Sequence, residues 1–531
     1  MSQINVSNLT FCYEGSVEPV FENVSFSIDT DWKLGFVGRN GKGKTTFLRL
    51  LSGELEYQGK ISSAVSYGYF PYSIKLADWK QCGAELLENW KADCEAWQVL
   101  RELDKLQVEA EVLYRPFGTL SFGERTKLML AVLFSEETNG RELLLVDEPT
   151  NHLDQKSREI VKEYLSRKKG FILVSHDRDL LDACVDHMLV LNRKSIEVQA
   201  GNFSSWWENK NRKDIFSKME NEKHKKEIGQ LQAASARTRK WADKNESTKI
   251  GFDPIKEPER NISTRAYIGA KTKKMQSRVK QLEIRIGKEI EEKQGLLQDI
   301  ENPAELKLMP ITHVKKRLLY ARDFGLQYQN AEKPVFSNLQ LELEQGDRML
   351  LHGGNGCGKS SLIHAILDQI ADTRRQSKGE NERIGEMENT PKRVEMLKYG
   401  ILQIASDLKI SYISQDTSFL RGSIKAFCRE EKLEESLFCS ILRQLDMERT
   451  QFERPIEEFS EGQKKKVLIA ASLLTPANLY IWDEPLNYID VFSRMQIEKM
   501  IMEYQPTMLI VEHDVRFQEK VATKVINLEA Q

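Results

Sequence analysis

The same ordered series of short motifs occurs twice in this chain, the copies lying about 315 residues apart. The first runs Phe11-Cys-Tyr13, Gly38-Arg-Asn-Gly-Lys-Gly-Lys-Thr45, Leu120-Ser-Phe-Gly-Glu124, Leu143-Leu-Leu-Val-Asp-Glu-Pro149 and Val174-Ser-His-Asp177. The second runs Gln327-Tyr328, Gly353-Gly-Asn-Gly-Cys-Gly-Lys-Ser360, Phe459-Ser-Glu-Gly-Gln463, Leu479-Tyr-Ile-Trp-Asp-Glu-Pro485 and Val511-Glu-His-Asp514. A duplication of this length excludes one compact domain, and 531 residues suffice for three bodies with cores of their own. The pattern predicts a first domain over 1–207, a middle segment over 208–300 and a second domain over 301–531.

Each glycine-rich loop follows a short apolar run (34–37; 349–351) and precedes a helical pattern (47–51; 362–367), the strand, loop, helix context of a P-loop. Glycines let backbone amides curl around phosphate oxygens, and the helix N-terminus adds a favourable field. The nucleotide-binding candidates are therefore Gly38, Asn40, Gly41, Gly43, Lys44, Thr45 and Thr46, with Gly353, Asn355, Gly356, Gly358, Lys359, Ser360 and Ser361 in the second copy. Lys44 and Lys359 reach the terminal phosphates, while Thr45 and Ser360 ligate magnesium. An isolated Asp-Glu pair after a strand is ordinarily a solvated loop. Following a P-loop, Asp147 and Asp483 are expected to hold magnesium through its water shell, and Glu148 and Glu484 to orient and deprotonate attacking water. His176 and His513, 28 and 29 residues further on, are placed to contact a γ-phosphate.

These residues resemble the Walker A, signature and Walker B elements of ATP-binding cassette proteins, over roughly 400 residues. The resemblance implies an α/β fold: two tandem ABC-type P-loop ATPase domains that pair head to tail within one monomer, each ATP held between one P-loop and the other signature. One site would combine Lys44, Asp147, Glu148 and His176 with Ser460, Gly462 and Gln463. The other would combine Lys359, Gln415, Asp483, Glu484 and His513 with Ser121, Gly123 and Glu124. Gln415 matches the glutamine that meets the metal, and Tyr13 and Tyr328 match the aromatic that stacks on adenine, although core packing fits either tyrosine equally. Two departures stand out: Tyr69-Phe-Pro-Tyr72 has a tyrosine where Gln415 stands in the second copy, making the sites unequal, and Phe122 replaces a common glycine. Cys357, at a freely variable P-loop position, reads as incidental.

The middle segment carries the basic charge. Between Lys210 and Lys293 there are 23 Lys/Arg against 13 Asp/Glu, in a chain whose formal net charge is −2. A charged helical pattern over about 208–249 is broken by Gly251, Pro254 and Pro258, and a second runs over about 263–299, so the segment reads as a hairpin with its tip near 249–263. Each arm could extend about 50 to 60 Å. Arg237, Arg239, Lys240, Lys244 and Lys249 ascending, and Arg265, Lys271, Lys273, Lys274, Arg278 and Lys280 descending, form an expected RNA-binding cluster. The alternative is a solvated coiled-coil spacer. Residues 371–407 read as a polar insertion. Seven cysteines without a C-x-x-C pair argue against disulfides and zinc, and the absence of a long apolar run or signal-like N-terminus predicts a cytoplasmic protein without membrane spans.

Tandem cassettes joined by a long basic helical hairpin resemble the ABC-F translation-associated ATPases. Within that group, Arg265-Ala-Tyr-Ile-Gly-Ala-Lys271 and Asp483-Glu-Pro-Leu-Asn-Tyr-Ile-Asp490 are similar to the antibiotic-resistance proteins acting against lincosamides, streptogramin A and pleuromutilins. The resemblance implies ATP and Mg2+ as cofactors and the 70S ribosome as partner, through its E site, 23S rRNA and P-site tRNA, with neither membrane nor DNA. A housekeeping translation factor and the cytosolic ATPase of a drug exporter are the alternatives.

Overall fold

Leu143-Leu-Leu-Val146 and Leu479-Tyr-Ile-Trp482 are apolar at every position, as parallel strands covered on both faces must be. In a computed structural model of the chain all eight side chains are buried. The structure describes residues 3–13, 19–91, 94–135, 142–151, 153–191, 196–247, 273, 277–282, 284–289, 306–329, 332–378 and 396–529, with 238, 239, 241–247 and 374–378 by backbone alone.

From edge to edge, the central sheet of the first cassette runs Ser66–Phe70, Glu142–Asp147, Phe171–Val174, Lys33–Gly38, His187–Leu191 and Ile196–Ala200, parallel except for the last strand. In the second cassette the order is Ile410–Ile413, Leu479–Asp483, Met508–Val511, Arg348–His352 and Lys524–Asn527, all parallel. The P-loop strand thus neighbours the strand leading to the histidine, which neighbours the Asp-Glu strand. All three loops leave the sheet at its carboxyl edge, where ligands bind in α/β folds.

A three-stranded antiparallel sheet accompanies each core: Phe21–Asp29, Gln3–Phe11 and Gln58–Ser62 in one, Phe336–Glu344, Arg317–Tyr328 and Met396–Ile404 in the other. Tyr328 ends its middle strand, and Tyr13 follows the matching one. Within 371–407, helix Lys359–Lys378 takes the first residues and strand Met396–Ile404 most of the last, so the sequence reading of one polar insertion is corrected there. Met396, Leu402 and Ile404 pack on the core, but Lys398 and Gly400, on that same face, interrupt the apolar alternation that would reveal the strand. Residues 379–395 lie outside the described residues.

The chain forms two units, Met1–Trp206 with Pro303–Gln531, and Trp207–Asn302; both cassettes belong to the first. The second is helical where described. Helix Phe203–Ser247 spans 45 residues, and 277–282 and 284–289 are helical. Arg237, Lys240, Lys273, Arg278 and Lys280 are exposed. Arg239 and Lys244 belong to the first helix by backbone only, while Lys249, Arg265, Lys271, Lys274 and the tip at 249–263 lie outside the described residues. No described helix is long and apolar enough to cross a membrane.

Candidate nucleotide sites

Both P-loops need glycine at their last turn before the lysine. Gly43 has φ +100°, and a Cβ there would stand 2.4 Å from Val20 Cγ1; Gly358 has φ +96°, and its Cβ would stand 2.4 Å from Val335 Cγ1. The loop folds over its own lysine. Lys44 Nζ donates to the carbonyls of Gly38 at 2.7 Å and Arg39 at 3.2 Å, and Lys359 Nζ to those of Gly353 and Gly354 at 2.8 Å each. Burial lowers the Lys44 pKa against the opposing pull of Asp490, Glu148 and Asp147. The aromatic pair is tied to the following helices: the Tyr13 and Thr46 hydroxyls share a hydrogen bond of 2.8 Å, those of Tyr328 and Ser361 one of 2.6 Å. Cys357 is buried.

The carboxylates differ between the two halves. Asp147 Oδ2 accepts from Thr45 Oγ1 at 2.8 Å and from the Tyr69 hydroxyl at 3.2 Å. Tyr72, in the position of Gln415, stacks on Trp90 instead, with centroids 5.2 Å apart. Glu148 Oε1 lies 3.3 Å from His176 Nε2. By contrast, Glu484 Oε2 accepts from Gln415 Nε2 at 2.9 Å and Asn487 Nδ2 at 2.7 Å, and Oε1 lies 3.7 Å from His513 Nε2. Both glutamates have left-handed backbones, with φ +52° and +47°, a strain of about 1–3 kcal/mol per residue that matching positions share. Their amides donate to Val174 and Val511, which ties each turn to the strand before the histidine.

The electrostatics follow. Burial, then Asp147, pushes Glu148 up to about 8. Burial also works upward on Glu484, but His513, Lys465 and Lys359 outweigh it and hold the carboxyl below its ordinary value. Burial, then Glu484, pushes Asp483 up to about 6, and Asp483 Oδ1 is buried without a hydrogen-bond partner. His176 is held well below the usual imidazole range by burial and then by Lys44.

The cassettes meet head to tail. Asn40 Nδ2 donates to Tyr488 O at 2.6 Å, and a Cβ on Gly462 would stand 2.6 Å from that carbonyl and 3.3 Å from Asn40 Nδ2, so only glycine fits between them. Arg39 pairs with Asp446, and Lys42 with Glu448 at 2.7 Å. In the reciprocal direction, a cavity of about 400 Å³ has the P-loop residues between Asn355 and Ser361 other than Cys357, with Gln415, Glu484 and His513, on one cassette, and Phe122, Leu153 and Arg158 on the other. Ser121, Gly123 and Glu124 do not line it. Ser121 Oγ instead accepts from Glu124 N at 3.2 Å while Glu124 Oε2 accepts from Ser121 N at 2.7 Å, and Ser460 with Gln463 repeats this capping box.

Residues 21–151 and 336–487 match the family model described as ABC transporter. The chain belongs to the ABC family. As an ABC protein with two complete cassettes, it is an ATPase. It is 27% identical to the ribosome protection protein VmlR of Bacillus subtilis (strain 168), over 96% of this chain and 84% of the relative. It is 26% identical to the ATP-binding protein Uup of Buchnera aphidicola subsp. Acyrthosiphon pisum over 99% and 80%, and 24% identical to ABC transporter F family member 5 of Arabidopsis thaliana over 99% and 75%. These alignments run through both cassettes and the segment between them, the organisation of an ABC-F ATPase. Among solved structures, the complex of archaeal ribosomal stalk protein aP1 with the ribosome recycling factor aABCE1 shares the fold, with a TM-score of 0.58 and 17% identity over 99% of this chain and 88% of that one.

The sequence reading of this ABC ATPase gives no role to Asn487, Tyr69 or Phe122. Asn487 follows Glu484 by three residues, as Asn151 follows Glu148, and that repeated interval is the signal. Tyr69 has no such mark, because its hydroxyl reaches Asp147 across two adjacent strands.

Proposed function

We propose that this ABC-F ATPase binds the ribosome when its cassettes are closed on ATP, and protects the peptidyl-transferase centre from antibiotics. The linker tip would reach inward from the E site and displace drug by shifting P-site tRNA and 23S rRNA, with hydrolysis driving release. The observation that carries this reading is a basic segment, helical where described, that lies in the sequence between two nucleotide-binding halves, in a chain similar over 96% of its length to a relative named as a ribosome protection protein. Exposed Arg237, Lys240, Lys273, Arg278 and Lys280 supply phosphate contacts, and Arg239, Lys244, Lys249, Arg265, Lys271 and Lys274 extend the same charge. A cytoplasmic, monomeric protein follows from this reading.

In the site of the second cassette, Glu484 is the base. Gln415 and Asn487 fix one carboxylate oxygen, leaving the other, beside His513, to take the proton of attacking water. Lys359 and the P-loop amides hold the phosphates, and Tyr328 the adenine. In the first cassette Lys44 and Tyr13 hold the phosphates and the adenine beside His176, and Glu148 serves as base once bound cations offset the burial and the Asp147 charge that push it up to about 8. Ser460, Gly462 and Gln463 complete that site, and closure over ATP would bring Ser121, Gly123 and Glu124 onto the second.

Thr45 with Asp147, and Ser360 with Asp483, fit Mg2+: each pairs a hydroxyl with a carboxylate, half-buried in the first cassette and buried in the second, and Asp483 Oδ1 lacks any protein partner. When bound, the ion neutralises phosphate charge as the terminal bond breaks.

Co-sedimentation with 70S ribosomes in ATP tests the proposal. The Glu148→Gln, Glu484→Gln protein should accumulate on ribosomes and inhibit translation, and expression of the wild type in a sensitive host should raise inhibitory drug concentrations. Free ribosomes at every nucleotide state would reject it.

A further inference from the structure

The two signature helices begin with chemically opposite residues, Phe122 in the first and Glu461 in the second. Glu461 turns back on its own cassette, accepting from Thr417 Oγ1 at 2.6 Å and Lys464 Nζ at 3.0 Å. Phe122 is 60% exposed and lines the cavity of the opposite cassette. The guanidinium of Arg125 lies 5.3 Å from its ring centroid and 4.6 Å from that of Trp79, cation–π contacts that orient the phenyl ring in advance of any ligand.

The lining of that cavity divides by chemistry. Lys359, Ser360 and the loop amides suit a triphosphate. The apolar walls are Tyr328 and Val335 from the second cassette, with Leu153 and Phe122 from the first, and they suit an uncharged ring system. An aromatic ring held half in water gains by covering such a group, and no equivalent ring is offered by Glu461.

We propose that Phe122 is a nucleotide-contacting residue: its ring closes over the base and ribose of the ATP held by the second cassette, across the pocket from the side that bears Tyr328. The first cassette's ATP lacks this contact, so affinity for the uncharged part of the nucleotide differs between the two sites. The proposal rests on the reading that this pocket takes ATP, and not on ribosome binding.

The test uses full-length protein carrying Lys44→Ala and Glu484→Gln, so that binding is read at the second cassette without turnover, titrated calorimetrically with ATP and with inorganic tripolyphosphate. Phe122→Gly and Phe122→Ala should each weaken ATP by roughly 3- to 10-fold and leave tripolyphosphate unchanged, while Phe122→Tyr keeps the starting affinity for both. Equal losses for the two ligands would mean that the signature helix itself had shifted, and unchanged ATP affinity would mean no contact; either result overturns the proposal. Adding Lys359→Ala to the same Lys44→Ala, Glu484→Gln protein should remove ATP binding; ATP binding that persists there overturns the pocket assignment, and the proposal with it.

Discussion

Arg178 of the first cassette and Glu498 of the second form a buried ion pair where the two histidine loops meet. Arg178 follows His176 by two residues and also lies 3.6 Å from Asp514, the residue after His513, which in turn accepts from Arg494 at 3.1 Å. Removing Arg178 leaves the buried Glu498 carboxylate with Lys520 alone, at 3.2 Å, and Asp514 with Arg494 alone, at a cost towards the lower end of the about 3–5 kcal/mol typical of a broken buried pair. Arg178→Ala is therefore expected to lower the melting temperature of the whole protein, and Arg178→Met with Glu498→Leu to regain most of the loss. Thermal unfolding of the three proteins checks this; an unmoved transition in Arg178→Ala contradicts it.

Gly358→Ala should abolish much of the ATP binding at the second cassette. The new Cβ meets both a left-handed backbone and Val335 Cγ1 at 2.4 Å, a strain of about 1–3 kcal/mol or roughly 5- to 150-fold in affinity. Adding Val335→Ala should recover only the steric part. Calorimetry with the first site disabled by Lys44→Ala measures both.

Tyr69→Phe should act on one site only. Its hydroxyl donates to Asp147 Oδ2 alongside Thr45, and loss of one such bond is worth about 0.5–1.5 kcal/mol. The Mg2+ concentration for half-maximal ATP binding should rise about 2- to 10-fold at the first cassette, with the second unchanged. A titration run separately on Lys44→Ala and Lys359→Ala backgrounds distinguishes the two.

Glu102 gives a pH-dependent stability. Burial works to raise its pKa, but hydrogen bonds from Lys105 at 2.8 Å, Lys168 at 2.5 Å and Tyr164 at 2.7 Å outweigh it and hold the carboxyl below its ordinary value. A carboxyl depressed in the folded state contributes stability that is complete above the unfolded pKa, about 4.3, and lost as pH falls through the lower folded value. Glu102→Gln should therefore cost about 1–3 kcal/mol at pH 7, a difference that shrinks below pH 4. Urea unfolding at both pH values reads it directly.

The fold was legible because the strongest sequence signals, two P-loops and two Asp-Glu strands, sit on the central strands that order each sheet. Local chemistry was legible for the same reason: Lys44, Asp147 and Glu148 end or follow strands at one carboxyl edge of the sheet, separated only by the strand that leads to His176. Strand Met396–Ile404 was not, since Lys398 and Gly400 break the apolar run on its packed face. The signature serines carried a double meaning, because Ser-x-x-Glu is also the spacing of a helix cap, and the capping hydrogen bonds are the ones observed. Contacts such as Asn40 with Tyr488 leave no local trace, their partners being 448 residues apart.

That pairing has a consequence for how the protein comes into being. Asn40 waits for Tyr488, Arg39 for Asp446 and Lys42 for Glu448, so the first P-loop stays without its wall until nearly the whole polypeptide has been synthesised. A chain cut short after the first half would carry a phosphate loop and its carboxylates but no finished catalytic chamber, whereas two halves made as separate polypeptides could complement one another by docking.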